Sequence, residues 1–252
     1  MSFKELKKKL KYLDPFYPYD LLISFLTKKM GKENKFLSIL IFVAYSLLLA
    51  FLLLKLLALI LGAHQSMMIV VSGSMEPKLN IGDIVVLFSA KNISTNYIDI
   101  NANLKNTKIH EYIIPRYSIL GDYNITNLNL QQVLYLKSQN PNLEVHLQDL
   151  NINNQIVNPN FNGDVVVYYS ELYNKEIIHR AILGINALDG TYYLTKGDNL
   201  KTNFRMDEYC PDFYQYCFYP YFLPKENLLS KYLFKIPLLG WIKLGPAKLF
   251  GF

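Results

Sequence analysis

A chain of 252 residues with 51% hydrophobic side chains has enough apolar material for a packed core, which excludes disorder of the whole molecule. Its formal charge of +6 sits entirely in the first 55 residues: positions 1–35 carry nine lysines against four acids, Lys55 adds one more, and positions 63–252 hold sixteen basic and sixteen acidic side chains. A neutral body behind a basic tail argues against a nucleic-acid partner and reads instead as a topology signal.

The first predicted element lies in the tail. Phe16 to Leu26 (FYPYDLLISFL) is apolar and followed by Lys28 and Lys29, but is too short to span a bilayer. It is expected to lie on the cytoplasmic leaflet, to pack on another chain, or to serve as a tether. From Phe36 to Gly62 the sequence FLSILIFVAYSLLLAFLLLKLLALILG runs 27 residues with one charge, Lys55, long enough to cross about 30 Å of hydrocarbon. A cleaved secretory leader has a shorter apolar core near the N-terminus; here thirty-five residues come first, so a retained transmembrane helix is expected. Lys55 can reach the interface along its own stem. The lysines before the helix place the N-terminus in the cytoplasm and everything after Gly62 outside.

Beyond the anchor, short runs read as strands: MMIVVS at 67–72, DIVVLFS at 83–89, DVVVYYS at 164–170, EIIHRAILGI at 176–185 and TYYLTKG at 191–197. Gly-Asp turns at 82–83, 163–164 and 197–198 punctuate them, and no helical crossovers separate them. The expectation is a mainly β, antiparallel domain over 63–252. Positions 92–162 differ: sixteen asparagines interrupt short apolar pieces, as in an insertion with weak strands of its own. The apolar stretch 233–252 is broken by Pro237, Pro246 and lysines, so it predicts a core strand or a membrane-surface contact rather than a second span.

Ser72-Gly73-Ser74-Met75-Glu76-Pro77 follows the first strand. Glycine between serines lets the backbone turn tightly and approach a substrate carbonyl, as a nucleophile loop must, although the same tripeptide also makes an ordinary turn. Cys210 and Cys217 can pair outside the cytoplasm, or remain two thiols; pairing would stiffen the segment just after Asp207. No ligand set stands at metal spacing. His64, His110 and His146 stand alone, and ordinary surface or core roles suit them.

SGSMEP followed by IGDIVVL resembles the nucleophile block of type I signal peptidases. GDVVVYYS, IIHR at 177–180, YLTKGDN at 193–199 and the closing IPLLGWI resemble the remaining blocks in the family's order, covering roughly 36–91 and 163–245. The resemblance implies a signal-peptidase catalytic domain anchored by the N-terminal helix, with Ser74 as nucleophile and His179 as general base. Bacterial members carry lysine where this chain has His179; His179-Arg180 resembles the archaeal and endoplasmic-reticulum branch. A histidine base suits the chemistry, since imidazole titrates near neutrality.

An acid must orient that imidazole. The resemblance leaves two candidates: Asp198, in Lys-Gly-Asp-Asn, and Asp207, which fits if the intervening loop carries about three extra residues, the family's usual position being occupied here by Phe204. Asp207 is favoured, with Asp198 as second acid. Ser72 matches the position whose hydroxyl helps bind the oxyanion, or is a strand-end serine bonded to backbone. The implied activity is removal of signal peptides from secretory preproteins at the outer face of a cell or endoplasmic-reticulum membrane. Membrane lipid and the translocation machinery or partner subunits are implied as partners, with no nucleic acid, metal or other cofactor. The rival is an inactive relative of the same fold that binds signal sequences or scaffolds a complex.

Overall fold

The structure is a computed structural model describing residues 14–30, 35–63, 65–120, 124–211 and 217–249; the lysines before residue 14 and His64 lie outside the described residues. The chain divides between Ile60 and Leu61 into two compact units. In the first, α1 (Tyr17–Met30) precedes α2 (Lys35–Leu61). At 1.5 Å per residue, the 27 residues of α2 extend about 40 Å, and the helix is long and apolar enough to cross a membrane. The apolar tail segment is helical and docks its aromatic residues on α2: Tyr19 meets Phe42 edge-on at 5.3 Å between ring centroids, and Phe16 stacks on Phe42 at 5.9 Å. Its partner is this chain's own helix rather than another chain.

The second unit is mainly antiparallel β. In chain order it contains β1 (Met67–Ile69), β2 (Ile84–Phe88), β3 (Tyr97–Ile100), β4 (Ile113–Ile119), β5 (Ile125–Leu128), α3 (Leu130–Gln139), β6 (His146–Ile152), β7 (Gln155–Val157), β8 (Val165–Ser170), β9 (Lys175–Ala187), β10 (Gly190–Lys196), β11 (Leu223–Pro224), β12 (Leu228–Ile236) and α4 (Trp241–Leu249). The first sheet runs β1-β2-β12-β8-β9-β10-β11, with β3 added in parallel to β9. Each strand expected from alternation is present, shortened or lengthened by a few residues at its ends.

The C-terminal stretch resolves into the end of β12, which pairs centrally between β2 and β8 but leaves Leu233 and Phe234 exposed rather than in a core, and the short α4. Asp83 ties this end to the β1–β2 turn. Its carboxylate is buried and accepts from the Asn80 and Leu238 amides, and from Lys235 Nζ at 2.9 Å.

The asparagine-rich stretch is not a separate appendage. Its own sheet, β5-β4-β6-β7, shares one apolar core with the first: Ile113, Tyr117, Leu147 and Leu150 pack in the same buried cluster as Ile182, Leu183, Leu194 and Phe204. Burying both sets together offsets the chain entropy of ordering a polar insertion. α3 begins with a capping box, Asn129 Oδ1 accepting from the Gln132 amide while the Gln132 side chain accepts from the Asn129 amide.

Candidate active site

Ser72 ends the extended run after β1, and Gly73–Met75 forms a single 3-10 turn. The turn is held from below by Met75, fully buried among Leu79, Val85, Leu87 and Val167, which leaves Ser74 at the surface of the fold. It is held from the side by the 197–199 loop: the Asn199 amide donates to Ser74 O at 3.0 Å and Asn199 Nδ2 to Gly73 O at 2.9 Å. Gly197 permits this approach, since a Cβ there would lie 2.6 Å from Ser74 O. Ser72 Oγ lies 3.3 Å from Ser74 Oγ.

His179 sits on β9, where it pairs with Val166 of β8. Strand alternation sends His179 and Arg180 to opposite faces, so the two residues of this motif meet different acids. His179 Nδ1 lies 2.6 Å from Asp207 Oδ2, both side chains being no more than 2% exposed. Arg180 forms a two-pronged pair with Asp198, Nε to Oδ1 at 2.8 Å and Nη2 to Oδ2 at 2.6 Å, and donates Nη1 to Gly163 O. Of the two candidate acids, Asp207 is therefore the one bonded to the imidazole, and Asp198 is brought to the arginine.

Several contacts fix Asp207. Its amide donates to Thr195 O, and its carbonyl accepts from the amides of Phe218 and Tyr219. Oδ2 also accepts from Tyr168 at 3.0 Å and faces Thr195 Oγ1 at 2.7 Å. Burial, and then the Asp207 charge, pushes the Tyr168 phenol well above its ordinary range, which keeps it a proton donor to the carboxylate. Cys210 and Cys217 are joined in a disulfide with Cα atoms 5.5 Å apart, so the strand of chain leaving Asp207 is tied to the one returning at Phe218. The Phe218 ring then stands edge-on to the imidazole at 5.3 Å.

Ser72, Ser74, His179 and Phe218, with Met68 and Val71, line one cleft of about 460 Å³. Among the described residues no direct hydrogen bond joins Ser74 to His179; Ser74 Oγ has Ser72 beside it instead. With Nδ1 committed to Asp207, Nε2 is the nitrogen left to exchange a proton with a group in the cleft. Such a set can activate a hydroxyl that comes within hydrogen-bond reach of Nε2.

A second cavity, about 390 Å³, is lined by Pro77, Lys78, His146, Lys196 and Asp198 among others. Lys196 is 2% exposed and donates to Gly197 O at 2.7 Å. Burial pushes it down to about 8, against the opposing pull of Asp198 and Asp207. His110 sits partly buried in a short 3-10 turn beside the second sheet, and His146 opens β6.

Tyr168, Thr195, Asn199, Glu208 and Phe218 join the site without a motif of their own. Thr195 and Asn199 stand inside the YLTKGDN block, and Glu208 is the neighbour of Asp207, so adjacency was the only signal available. No protein-family model matches this chain, and no curated protein does.

Proposed function

We propose that this chain is a membrane-anchored serine endopeptidase that removes signal peptides from secretory preproteins on the exoplasmic side of a cell or endoplasmic-reticulum membrane. The observation that carries the reading is the buried His179–Asp207 pair in the cleft that also holds Ser74 and Ser72. Ser74 attacks the scissile carbonyl; His179 takes its proton and later returns it to the leaving amine; Asp207 holds the ring and balances the imidazolium. Ser72 and the Ser74 amide are the groups suited to the oxyanion. β1 ends the first sheet and borders the cleft, so its free edge suits a substrate added as an extended strand, with small side chains entering shallow pockets. The basic tail and α2 support an N-terminus in the cytoplasm and a catalytic unit outside. Translocation machinery or partner subunits would deliver the preprotein, and the reaction needs no metal or other cofactor.

The test is cleavage of a secretory preprotein by detergent-purified protein. Wild type releases the signal peptide, and Ser74→Ala and His179→Ala each lower kcat by about 10⁴-fold or more. Undiminished cleavage by Ser74→Ala overturns the mechanism. A wild type that binds signal peptides without cutting them returns the non-catalytic scaffold reading.

A further inference from the structure

Beside the His179–Asp207 pair lies a second buried acid that the reaction above does not use. Glu208 is fully buried, and its two oxygens accept the Thr195 amide at 3.1 and 2.9 Å. Thr195 Oγ1, itself fully buried, lies 2.5 Å from Glu208 Oε1 and 2.7 Å from Asp207 Oδ2. A threonine hydroxyl carries one proton, so it can donate to only one of the two carboxyl groups. The other short contact needs a proton from the carboxyl itself.

The kind of donor that faces each acid decides which one carries that proton: only Asp207 meets an imidazole, which can become a cation. Asp207 Oδ2 faces three donors, His179 Nδ1, Tyr168 Oη and Thr195 Oγ1, all of which favour an ionised acceptor. Glu208 is met by two neutral backbone amides, that of Thr195 and its own, and has no salt bridge among the described residues. The titratable groups facing it, Asp207, Tyr168 and Tyr219, are acids, and none supplies positive charge. Burial, and then the Asp207 charge, pushes the Glu208 carboxyl well above its ordinary range. Two adjacent buried carboxyl groups cannot both ionise, and the less solvated one keeps its proton.

Building on the peptidase reading, we propose that Glu208 is a neutral positioning acid: Glu208 donates to Thr195 Oγ1, Thr195 donates to Asp207, and Asp207 accepts from His179 Nδ1–H. The polarity of the whole chain is then set from its buried end. Thr195 holds the Asp207 carboxylate in the plane of the imidazole, and Glu208 holds the Thr195 hydroxyl in the one rotamer that donates toward Asp207. Neither residue touches substrate; both act through Asp207.

The experiment uses the full-length chain in detergent, with kcat and KM for preprotein cleavage measured beside the low-field ¹H NMR signal of the His179 Nδ1 proton. Thr195→Val keeps the shape and removes the hydroxyl; it lowers kcat about 10- to 100-fold at unchanged KM, and Thr195→Ser restores it. Glu208→Leu gives a loss of the same size, and Glu208→Gln, which keeps a neutral donor, recovers most of it. The double variant Thr195→Val/Glu208→Leu is no slower than Thr195→Val alone, as members of one chain require. The Nδ1 resonance moves in Thr195→Val and stays in place in Glu208→Gln. Equal damage from Glu208→Gln and Glu208→Leu would show that a charged carboxylate is needed and overturns the proposal, as does wild-type kcat in Thr195→Val. Should wild type not cleave at all, the peptidase reading falls, and the resonance still decides whether this hydrogen-bond chain exists.

Discussion

The two sheets of the second unit reach order by different means. The first is written in apolar runs: in β8 and β9, residues such as Val166, Val167, Ile178, Ile182 and Leu183 are buried on both faces of the sheet. The second is laid out by asparagine. Among the described residues, six of the seven non-glycine residues with positive φ are asparagines, five of them between positions 106 and 154, and Asn153-Asn154, at φ 48° and 66°, forms the two-residue turn joining β6 to β7. Asparagine tolerates the left-handed region because its short amide can bond its own backbone. A composition that reads as loosely structured is therefore turn chemistry between real strands. The candidate site belongs to the first sheet and its loops, while the second contributes packing and its own Arg116–Asp149 ion pair.

That division can be broken most sharply at Asp207. Asp207→Asn should lower kcat by about 10⁴-fold by presenting the wrong hydrogen-bonding group to His179. Asp198→Ala leaves the imidazole pair intact and should appear chiefly as lost stability from an unpaired Arg180. Equal kcat losses in the two would erase the distinction drawn between these acids.

On the second sheet, Leu150→Ala empties a fully buried site in β6 and should cost about 2–5 kcal/mol in denaturant unfolding while leaving kcat unchanged. A large kcat loss in folded Leu150→Ala would mean that the shared core transmits position to the active site.

Lys196 offers a pH test at the first sheet. Its folded pKa, about 8, lies below the ordinary 10.5, so the unfolded chain holds the proton more tightly and stability from this group rises with pH. Lys196→Met should therefore be more stable than wild type by up to about 3 kcal/mol below pH 8, and the gap should close as pH climbs through about 10.5. A gap independent of pH would assign the effect to packing alone. The smallest effect is expected at the β6–β7 turn, where Asn154→Gly matches the preferred residue for such a turn and should alter stability by about 0.5 kcal/mol or less with no change in activity.

Much of the architecture was legible from residue patterns. Length and apolarity mark α2, and alternation and Gly-Asp turns mark β2, β8, β9 and β10; Ser74 and His179 stand out as candidates only through the family resemblance, since Ser-Gly-Ser alone reads as a turn and a strand histidine as a core residue. These features are local, because a strand's faces and a helix's length follow from neighbours in the chain. The docking of α1 on α2, the fusion of the two sheets through one core, and the pairing of Cys210 with Cys217 were not legible in that way.

Nor was the orienting acid. Residue type and distance along the chain admit both Asp198 and Asp207, and only the family resemblance favours Asp207. The pleat of β9 sends Arg180 to the face that meets Asp198, while the loop after β10 returns Asp207 over the face that carries His179, with Thr195 and Tyr168 already there to receive it. The sequence alone determined which elements form and which residue types they carry. Which charges share one buried space was decided only in three dimensions, because a hydrogen bond between strand and returning loop depends on the path of the chain, not on spacing within it.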